Sequence, residues 1–425
     1  MMDIRKDKKV VVIGLARSGY ACAKMLASLG CEVSVTERED RRDLRELAGE
    51  LRRLRVRVEL GGHSRALLSG RELTVISPGV PDTALPVQWA RQEGIPVISE
   101  IECAFRLCPA RIVAVTGSNG KTTVTTLISR VIAESGRKVF LCGNIGTPFS
   151  QELPKMHAGD FVALEVSSFQ LEHITSFKPS VAVVLNCTPN HLDRYRSMEE
   201  YIRAKRNILR FQDADDVLIL NADDPEVRKW GRESKAQVVL FSSDGGLNPN
   251  HAALYAVARA LEIDTRAVGR VLSSFSGIEH RLEHVDEKNG VSFINDSKAT
   301  TLDATLWALR RTRQPVILIA GGKHKGIDYS AIAPEAQRKV KRAVLFGEAR
   351  DLIGRALEGR VPVDYAHDLS EAVTRAHSAA ASGDCVLFSP MCSSFDMFAN
   401  YEERGRVFKE CVRGLAAGGS IPAKK

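Results

Sequence analysis

Short apolar runs alternate along this chain with stretches whose apolar residues recur every three or four positions. In the first hundred residues "KVVVIG", "EVSVTE", "LTVISPG" and "IPVIS" predict strands. "SGYACAKMLASLG" predicts a helix that ends at a glycine. "RRDLRELAGELRRLRVRV" predicts an amphipathic helix with a solvated basic face that leads into a strand. Strand and helix in alternation imply a mainly parallel sheet covered by helices. A second series opens near residue 110 with "RIVAVTG" and continues through "FVALEVSS", "SVAVVLN" and "DVLILNADD" to a helix at "HAALYAVARALEI". A third holds "VSFINDS", "PVILIAGG", "KRAVLFG" and "DCVLFSP". Pro109 breaks the first join, and the pattern predicts three α/β domains over 1–108, 109–278 and 279–425.

A length of 425 residues suits two or three domains, and 44% hydrophobic with 26% charged residues is ordinary globular composition. No apolar run approaches the length that crosses a bilayer, and the N-terminus has no leader-like apolar core. A cytoplasmic protein without membrane insertion is expected. Nine cysteines at irregular spacing, with no C-x-x-C pair, read as reduced thiols. Cys22, Cys31 and Cys142 are taken as small packing residues, and no cysteine-histidine cluster has zinc-ligand spacing. The formal charge of +8 is dispersed and comes with no nucleic-acid motif. It points to a polyanionic small molecule rather than to nucleic acid.

The chemistry concentrates in a few motifs. "GSNGKTT", Gly117 to Thr123, follows a strand and opens a helix. Glycines there let backbone N–H groups turn toward phosphate, and the helix N-terminus adds its dipole. Gly117, Ser118, Asn119, Gly120, Lys121, Thr122 and Thr123 are therefore the expected ATP cradle, with Lys121 on the transferring phosphate and the Thr122 hydroxyl on Mg2+. The spacing between its glycines is shorter than in the commonest phosphate loop. "GLARSG", Gly14 to Gly19, also joins strand to helix and suits a nucleotide or diphosphate, a nicotinamide cofactor, or merely a tight turn; it lacks a glycine at position 16. Glu165 ends a strand, where a buried acid needs a partner or a cation. Mg2+ would satisfy it, with Ser167, Ser168 and Gln170 filling the remaining contacts. His191 is either a divalent-ion ligand or a turn cap. Lys205, taken alone, is a surface lysine. Asp296 and Lys298 just past a strand suit a ribose hydroxyl and a phosphate, or a capped helix start.

In order, "GNIGTPF", "LEVSSFQLE", "HLDRY", "HRLE", "NDSKAT" and "LFSPMCSSFDMFANYEERG" resemble the Mur ligase family from about residue 10 to residue 413. The last string and "NDSKAT" are most similar to its D-glutamate-adding members. The resemblance implies a Rossmann-like N-terminal domain for the UDP end of the acceptor, a P-loop ATP-binding central domain and a Rossmann-like C-terminal domain for the amino acid. It implies ATP and Mg2+, the substrates UDP-N-acetylmuramoyl-L-alanine and D-glutamate, and a monomer. By resemblance Ser18, Glu37, Arg38, Gly79 and Asn144 contact the UDP substrate. Lys121, His191, Lys205 and Lys298 take catalytic roles. Thr122, Glu165, His191 and a carbamylated Lys205 hold metal. Asn248, Arg281 and Asp296 join the ATP set, and Lys298, Thr300, Lys325, Ser394 and Tyr401 surround D-glutamate.

Four positions depart from the family pattern. Thr36 stands where the strand-end acid is usual and Glu37 follows it, His324 replaces an aspartate, and Tyr401 replaces a phenylalanine. Between "VVLFSSD" and "GGLNPNHAAL" the chain is short, as if several strands were missing, and the usual His-Asn pair reads Leu247-Asn248. A ligase of different amino-acid choice, a nicotinamide-dependent oxidoreductase built on "GLARSG", and a non-catalytic protein on the same fold are the rivals. The phosphate loop weighs against the oxidoreductase, since hydride transfer needs none.

Overall fold

A computed structural model describes residues 4–188, 194–244, 247–275, 277–324 and 326–415. The chain packs as two units, 1–275 and 276–425. The first unit holds two sheets. Strands β1 (Lys9–Ile13), β2 (Glu32–Thr36), β3 (Arg57–Glu59), β4 (Leu73–Ile76) and β5 (Val97–Ser99) pair in the order β3-β2-β1-β4-β5. All are parallel, so the chain reverses its winding between β1 and β4, where ligands of open α/β sheets usually bind.

The second sheet contains β6 (Arg111–Thr116), β7 (Val139–Gly143), β8 (Phe161–Glu165), β9 (Val181–Val184), β10 (Val217–Asn221) and β11 (Gln237–Phe241). Its order is β11-β10-β9-β6-β8-β7, again all parallel. β6, β8 and β9 lie inside it, and β8 and β9 are buried along their whole length. Burial on both faces explains why they read as continuous apolar runs. One face packs on the helices Lys121–Glu134, Pro249–Ala260 and Thr265–Ser274 through Val124, Leu127, Leu254 and Val268. The other joins a core shared with the first sheet, in which Leu15 and Cys22 lie with Phe149 and Phe177. After β11 the chain returns to a helix at Pro249, and no further strand occurs in this stretch among the described residues. The shortening read in the sequence is thus a six-stranded sheet with β11 at its edge.

The second unit holds β12 (Glu283–Lys288), β13 (Val291–Asn295), β14 (Val316–Gly321), β15 (Val340–Phe346), β16 (Val363–Tyr365) and β17 (Cys385–Phe388), ordered β12-β13-β17-β14-β15-β16. β12 is antiparallel to β13 and the rest are parallel, so this sheet is mixed. All nine cysteines are free, with Cys22, Cys31 and Cys142 buried as expected. Among the described residues no helix is long and apolar enough to cross a membrane.

The first strand-to-helix turn depends on one close approach. A Cβ at Gly19, in the first turn of the helix Arg17–Ser28, would stand 1.9 Å from the Gly14 carbonyl oxygen. Gly19→Ala is expected to force turn and helix apart and to lower unfolding stability by ~1–3 kcal/mol, read by denaturant titration. An unchanged transition midpoint would mean that the turn has slack.

Candidate active site

β6 ends at Thr116 and the helix Lys121–Glu134 begins after four intervening residues, capped by Gly120 in the left-handed region at φ 83°. Gly120 is required there: a side chain would be strained at that φ, and its Cβ would lie 2.8 Å from Asn250 Oδ1. The loop is braced from the segment after β9. Ser118 Oγ donates to the Thr188 carbonyl at 2.8 Å and accepts from Thr188 N at 3.0 Å, with the Tyr201 hydroxyl 3.0 Å away. Asn119 N donates to Asn186 Oδ1 at 2.8 Å. Lys121 Nζ folds back to donate to the carbonyls of Gly117 at 2.8 Å and Ser118 at 3.0 Å. Thr122 is buried in the first turn of the helix.

Lys205 is not the surface lysine that its local sequence predicts. It lies on the helix Met198–Arg206, is 1% exposed, and donates to the same Gly117 carbonyl at 2.8 Å. Its amine stands 4.6 Å from the Tyr201 ring centroid. Burial, and then the Lys121 charge, pull its pKa down to about 7. Glu165, at the end of β8, is 2% exposed. Its Oε1 accepts from Asn144 Nδ2 at 2.8 Å, and its Oε2 has no hydrogen-bond partner among the described residues. The expected contacts from Ser167 and Gln170 are absent from that set: these two side chains engage each other in a reciprocal cap of the helix Ser168–Leu171. Asn144, expected at the sugar-diphosphate, is bound to Glu165 twice, since its N–H also donates to the Glu165 carbonyl at 2.9 Å. His191 lies outside the described residues.

The N-terminal candidates gather at the β1–β4 switch. Ser18 lies in the first turn of the helix Arg17–Ser28. Glu37, just past β2, turns its carboxylate inward, Oε2 accepting from Leu15 N at 2.8 Å and Oε1 from Glu39 N at 3.1 Å. Arg38 is almost fully solvent-exposed. Gly79 sits in the loop after β4, which is tied to Gly14 by Ser77 Oγ at 3.2 Å. A Cβ on Gly79 would meet nothing within 4 Å, so glycine there leaves open space.

In the second unit, Asp296 is buried just past β13. Its Oδ2 accepts from Ser389 Oγ at 2.8 Å and its Oδ1 from Leu282 N at 3.2 Å. Burial raises its pKa to about 7. Arg281 precedes Leu282 and lies 6.0 Å from the Trp307 ring. Lys298 stands 5.6 Å from the Tyr401 ring centroid, and Thr300 N donates to the Lys298 carbonyl at 2.8 Å. Ser394 is buried. Arg404 draws these loops together: fully buried, it donates to the carbonyls of Ser297 and Cys392 at 2.8 and 3.1 Å. His324 faces the Tyr329 hydroxyl at 3.3 Å, and Lys325 lies outside the described residues.

Asn248 caps the helix Pro249–Ala260, accepting from Asn250 N at 2.9 Å. Its neighbour Asn250, against Gly120, was not legible as a site residue, although a second asparagine beside a helix cap was a usable signal. Arg404 was missed because its partners are mainly backbone carbonyls, which leave no trace in side-chain spacing.

These features define a nucleotide-dependent enzyme whose phosphate loop, with its own Lys121, is met by a buried acid from β8 and a second lysine from the helix Met198–Arg206. Three family models match in series: Mur ligase MurD-like, N-terminal domain over 8–99, Mur ligase middle domain over 115–283, and Mur ligase, glutamate ligase domain over 280–392. The chain belongs to the Mur ligase family. Its relatives named UDP-N-acetylmuramoylalanine–D-glutamate ligase include one from Geotalea uraniireducens, 40% identical across 97% of this chain and 98% of that protein. Another from Chlorobaculum parvum is 41% identical across 97% and 98%. Among solved structures, a UDP-N-acetylmuramate-alanine ligase from Thermotoga maritima aligns over 96% of this chain and all of that one, with TM-score 0.61 and 18% identity. A Thermotoga maritima MurF ligase in complex with ADP aligns over 98% and all of its chain, with TM-score 0.58 and 16% identity. At those identities the likeness is one of fold.

Asp296 also sets a pH dependence. Its folded pKa is about 7 against an ordinary 3.8, so the folded chain binds a proton that the unfolded chain has released. Stability from this group is therefore greatest below the unfolded value and falls as pH rises toward 7. Asp296→Asn keeps a polar side chain beside Ser389 and Leu282 without the charge. It is expected to stabilise the chain above pH ~7, by at most about 4 kcal/mol, and to leave it nearly unchanged in acid. Unfolding at the two pH values reads this directly, and equal destabilisation at both would contradict it.

Proposed function

We propose that this chain ligates D-glutamate to UDP-N-acetylmuramoyl-L-alanine at the expense of ATP, in peptidoglycan precursor synthesis. Full-length identity of about 40% to ligases named for that reaction supports the substrates. The single geometric observation that carries the chemistry is the convergence of Lys121 and Lys205 on the Gly117 carbonyl. Three functional regions follow: residues 1–108 for the UDP end of the acceptor, 109–278 for ATP and 279–425 for the amino acid. Free thiols and the nucleotide substrates suit the cytoplasm, and the enzyme is proposed to act as a monomer.

The reaction transfers the γ-phosphoryl group of ATP to the acceptor carboxylate, giving an acyl phosphate. The amine of D-glutamate attacks the carbonyl carbon, and the tetrahedral intermediate expels phosphate to leave an amide and ADP. Backbone N–H groups of 117–123 cradle the phosphates. Lys121 releases its two carbonyl acceptors to neutralise charge on the transferring group, a preorganised electrostatic role. Asn248, Asn250, Arg281 and Asp296 are assigned to ATP. Ser18, Glu37, Arg38, Gly79 and Asn144 are assigned to the acceptor. Lys298, Thr300, Lys325, Ser394 and Tyr401 are assigned to D-glutamate, whose carboxylates the lysines pair.

The residues fit Mg2+. Glu165 Oε2 is a buried carboxylate oxygen without a hydrogen-bond partner among the described residues, and such an oxygen is costly unless a cation or donor meets it. Thr122, Glu165, His191 and Lys205 would hold the metal, which when bound neutralises phosphate charge. Lys205 serves as a ligand only after carbamylation. With its pKa pulled down to about 7, roughly half of this buried lysine near pH 7 is the neutral amine whose lone pair adds to carbon dioxide, with loss of a proton.

ADP release is expected only when ATP, Mg2+, the acceptor and D-glutamate are all present, with a product of matching mass. Turnover with a different amino acid would move the specificity and keep the mechanism. Lys121→Ala should lower kcat by about a hundredfold to a thousandfold without loss of fold. Labelled carbon dioxide should appear on the wild-type protein as a carbamate and be missing from Lys205→Arg; equal labelling of both would remove Lys205 from the metal set.

A further inference from the structure

The loop that carries Gly79 is held from the second sheet's side of the first unit, at points on either side of the glycine. Arg194 NH1 donates to the Pro78 carbonyl at 2.8 Å, and Arg194 NH2 to the Val80 carbonyl at 3.3 Å. Its guanidinium is set by other contacts. The Phe169 ring centroid lies 3.9 Å from Cζ, and Glu172 Oε2 stands 3.6 Å from NH2. Two residues further along, Asp82 takes His173 Nε2 at 2.7 Å and Arg91 NH2 at 2.8 Å. Inside the loop, Val80 N donates to the Ser77 carbonyl at 3.0 Å.

Gly79 itself supplies no rigidity. No neighbour would touch a Cβ there, and glycine is the residue with the widest backbone freedom. The Pro78–Gly79 peptide therefore depends on what holds the Pro78 carbonyl, the Gly79–Val80 peptide is held through Val80 N, and the Val80 carbonyl anchors the peptide that follows. A planar guanidinium can hold both carbonyls at once in a fixed fork, which a lysine ammonium on a flexible stem does less well. Phe169 lies in, and Glu172 ends, the short helix Ser168–Leu171 that follows Glu165. Arg194 thus links the phosphate-loop sheet to the acceptor loop.

We propose that Arg194 is a positioning residue for the acceptor: by holding the Pro78 and Val80 carbonyls it presents Gly79 to the uridine diphosphate end of the substrate. The assignment rests on the reading of Gly79 as part of the acceptor site. Arg194 touches neither ATP nor the amino acid in this role, so its loss should be selective. Losing hydrogen bonds from a charged donor predicts a rise in acceptor KM of roughly tenfold or more in Arg194→Ala, with a smaller rise in Arg194→Lys. KM for ATP and D-glutamate, and kcat at saturating acceptor, should stay within about twofold, because uniform acceptor binding is what is lost.

The test is steady-state kinetics on the full chain for each of the three substrates, with calorimetric titration of UDP-N-acetylmuramoyl-L-alanine into wild type and variants. A selective, graded rise in acceptor KM and Kd establishes the assignment. If Arg194→Ala does not fold, Arg194→Lys, which keeps the charge and the stem over Phe169, decides alone. Wild-type binding with an unchanged Kd in Arg194→Lys overturns the role of Arg194. An equal rise in all three KM values also overturns it, since a general structural defect would do that. No acceptor binding by folded wild type overturns the reading of the site itself, and this assignment with it.

Discussion

One backbone oxygen organises the centre of the first unit. The Gly117 carbonyl, where β6 gives way to the phosphate loop, accepts from both Lys121 and Lys205. Two amines so close repel each other unless one sheds its proton, and the buried one is where the proton is weakly held. Glu165 acts on Lys205 in the opposite sense, favouring its charge. The site therefore keeps a positive charge on Lys121, an easily deprotonated amine on Lys205 and a carboxylate oxygen without a hydrogen-bond partner among the described residues on Glu165. Each is expensive to hold without phosphate and metal, and each is what phosphoryl transfer uses.

The parallel sheet makes that arrangement affordable. β8 and β9 flank β6, so their C-terminal ends bring Glu165 and the 185–188 segment to the phosphate loop. Asn144, after β7, adds its amide to Glu165. The same logic recurs at the β1–β4 switch, where Ser77, Gly14 and Glu37 shape a turn by hydrogen bonds to backbone. In the second unit Asp296 and Lys298 follow β13, with Ser389 following β17 beside it. All three sheets thus carry their polar chemistry just past strand ends.

What could be read in the sequence divides along burial. The interior strands, apolar on both faces, stand out as runs such as "RIVAVT" and "VAVV". β12 and β16 had no such run, while β7 and β11 carry the short runs "VFLC" and "VVLF" but were not read as strands; all four lie at an edge of their sheets with most positions partly or fully exposed. The phosphate loop was legible because glycine, lysine and threonine are needed in order. Lys205 was not, because among the charged residues of its helix nothing in the sequence marks it as the one that shares the buried face of Tyr201 and Ala204; only the family resemblance marked it. Ser167 and Gln170 were read as partners of Glu165 when they partner each other, since a capping box and a ligand shell use the same residue types.

In the proposed reaction ATP activates the acceptor carboxylate rather than the amino acid. Isotopic labelling of the oxygens of that carboxylate tests it most directly. Transfer of one labelled oxygen to the phosphate released with the amide product is the predicted result. Unlabelled phosphate, with the lost labelled oxygen recovered in water, would contradict the acyl phosphate and the role given to Lys121.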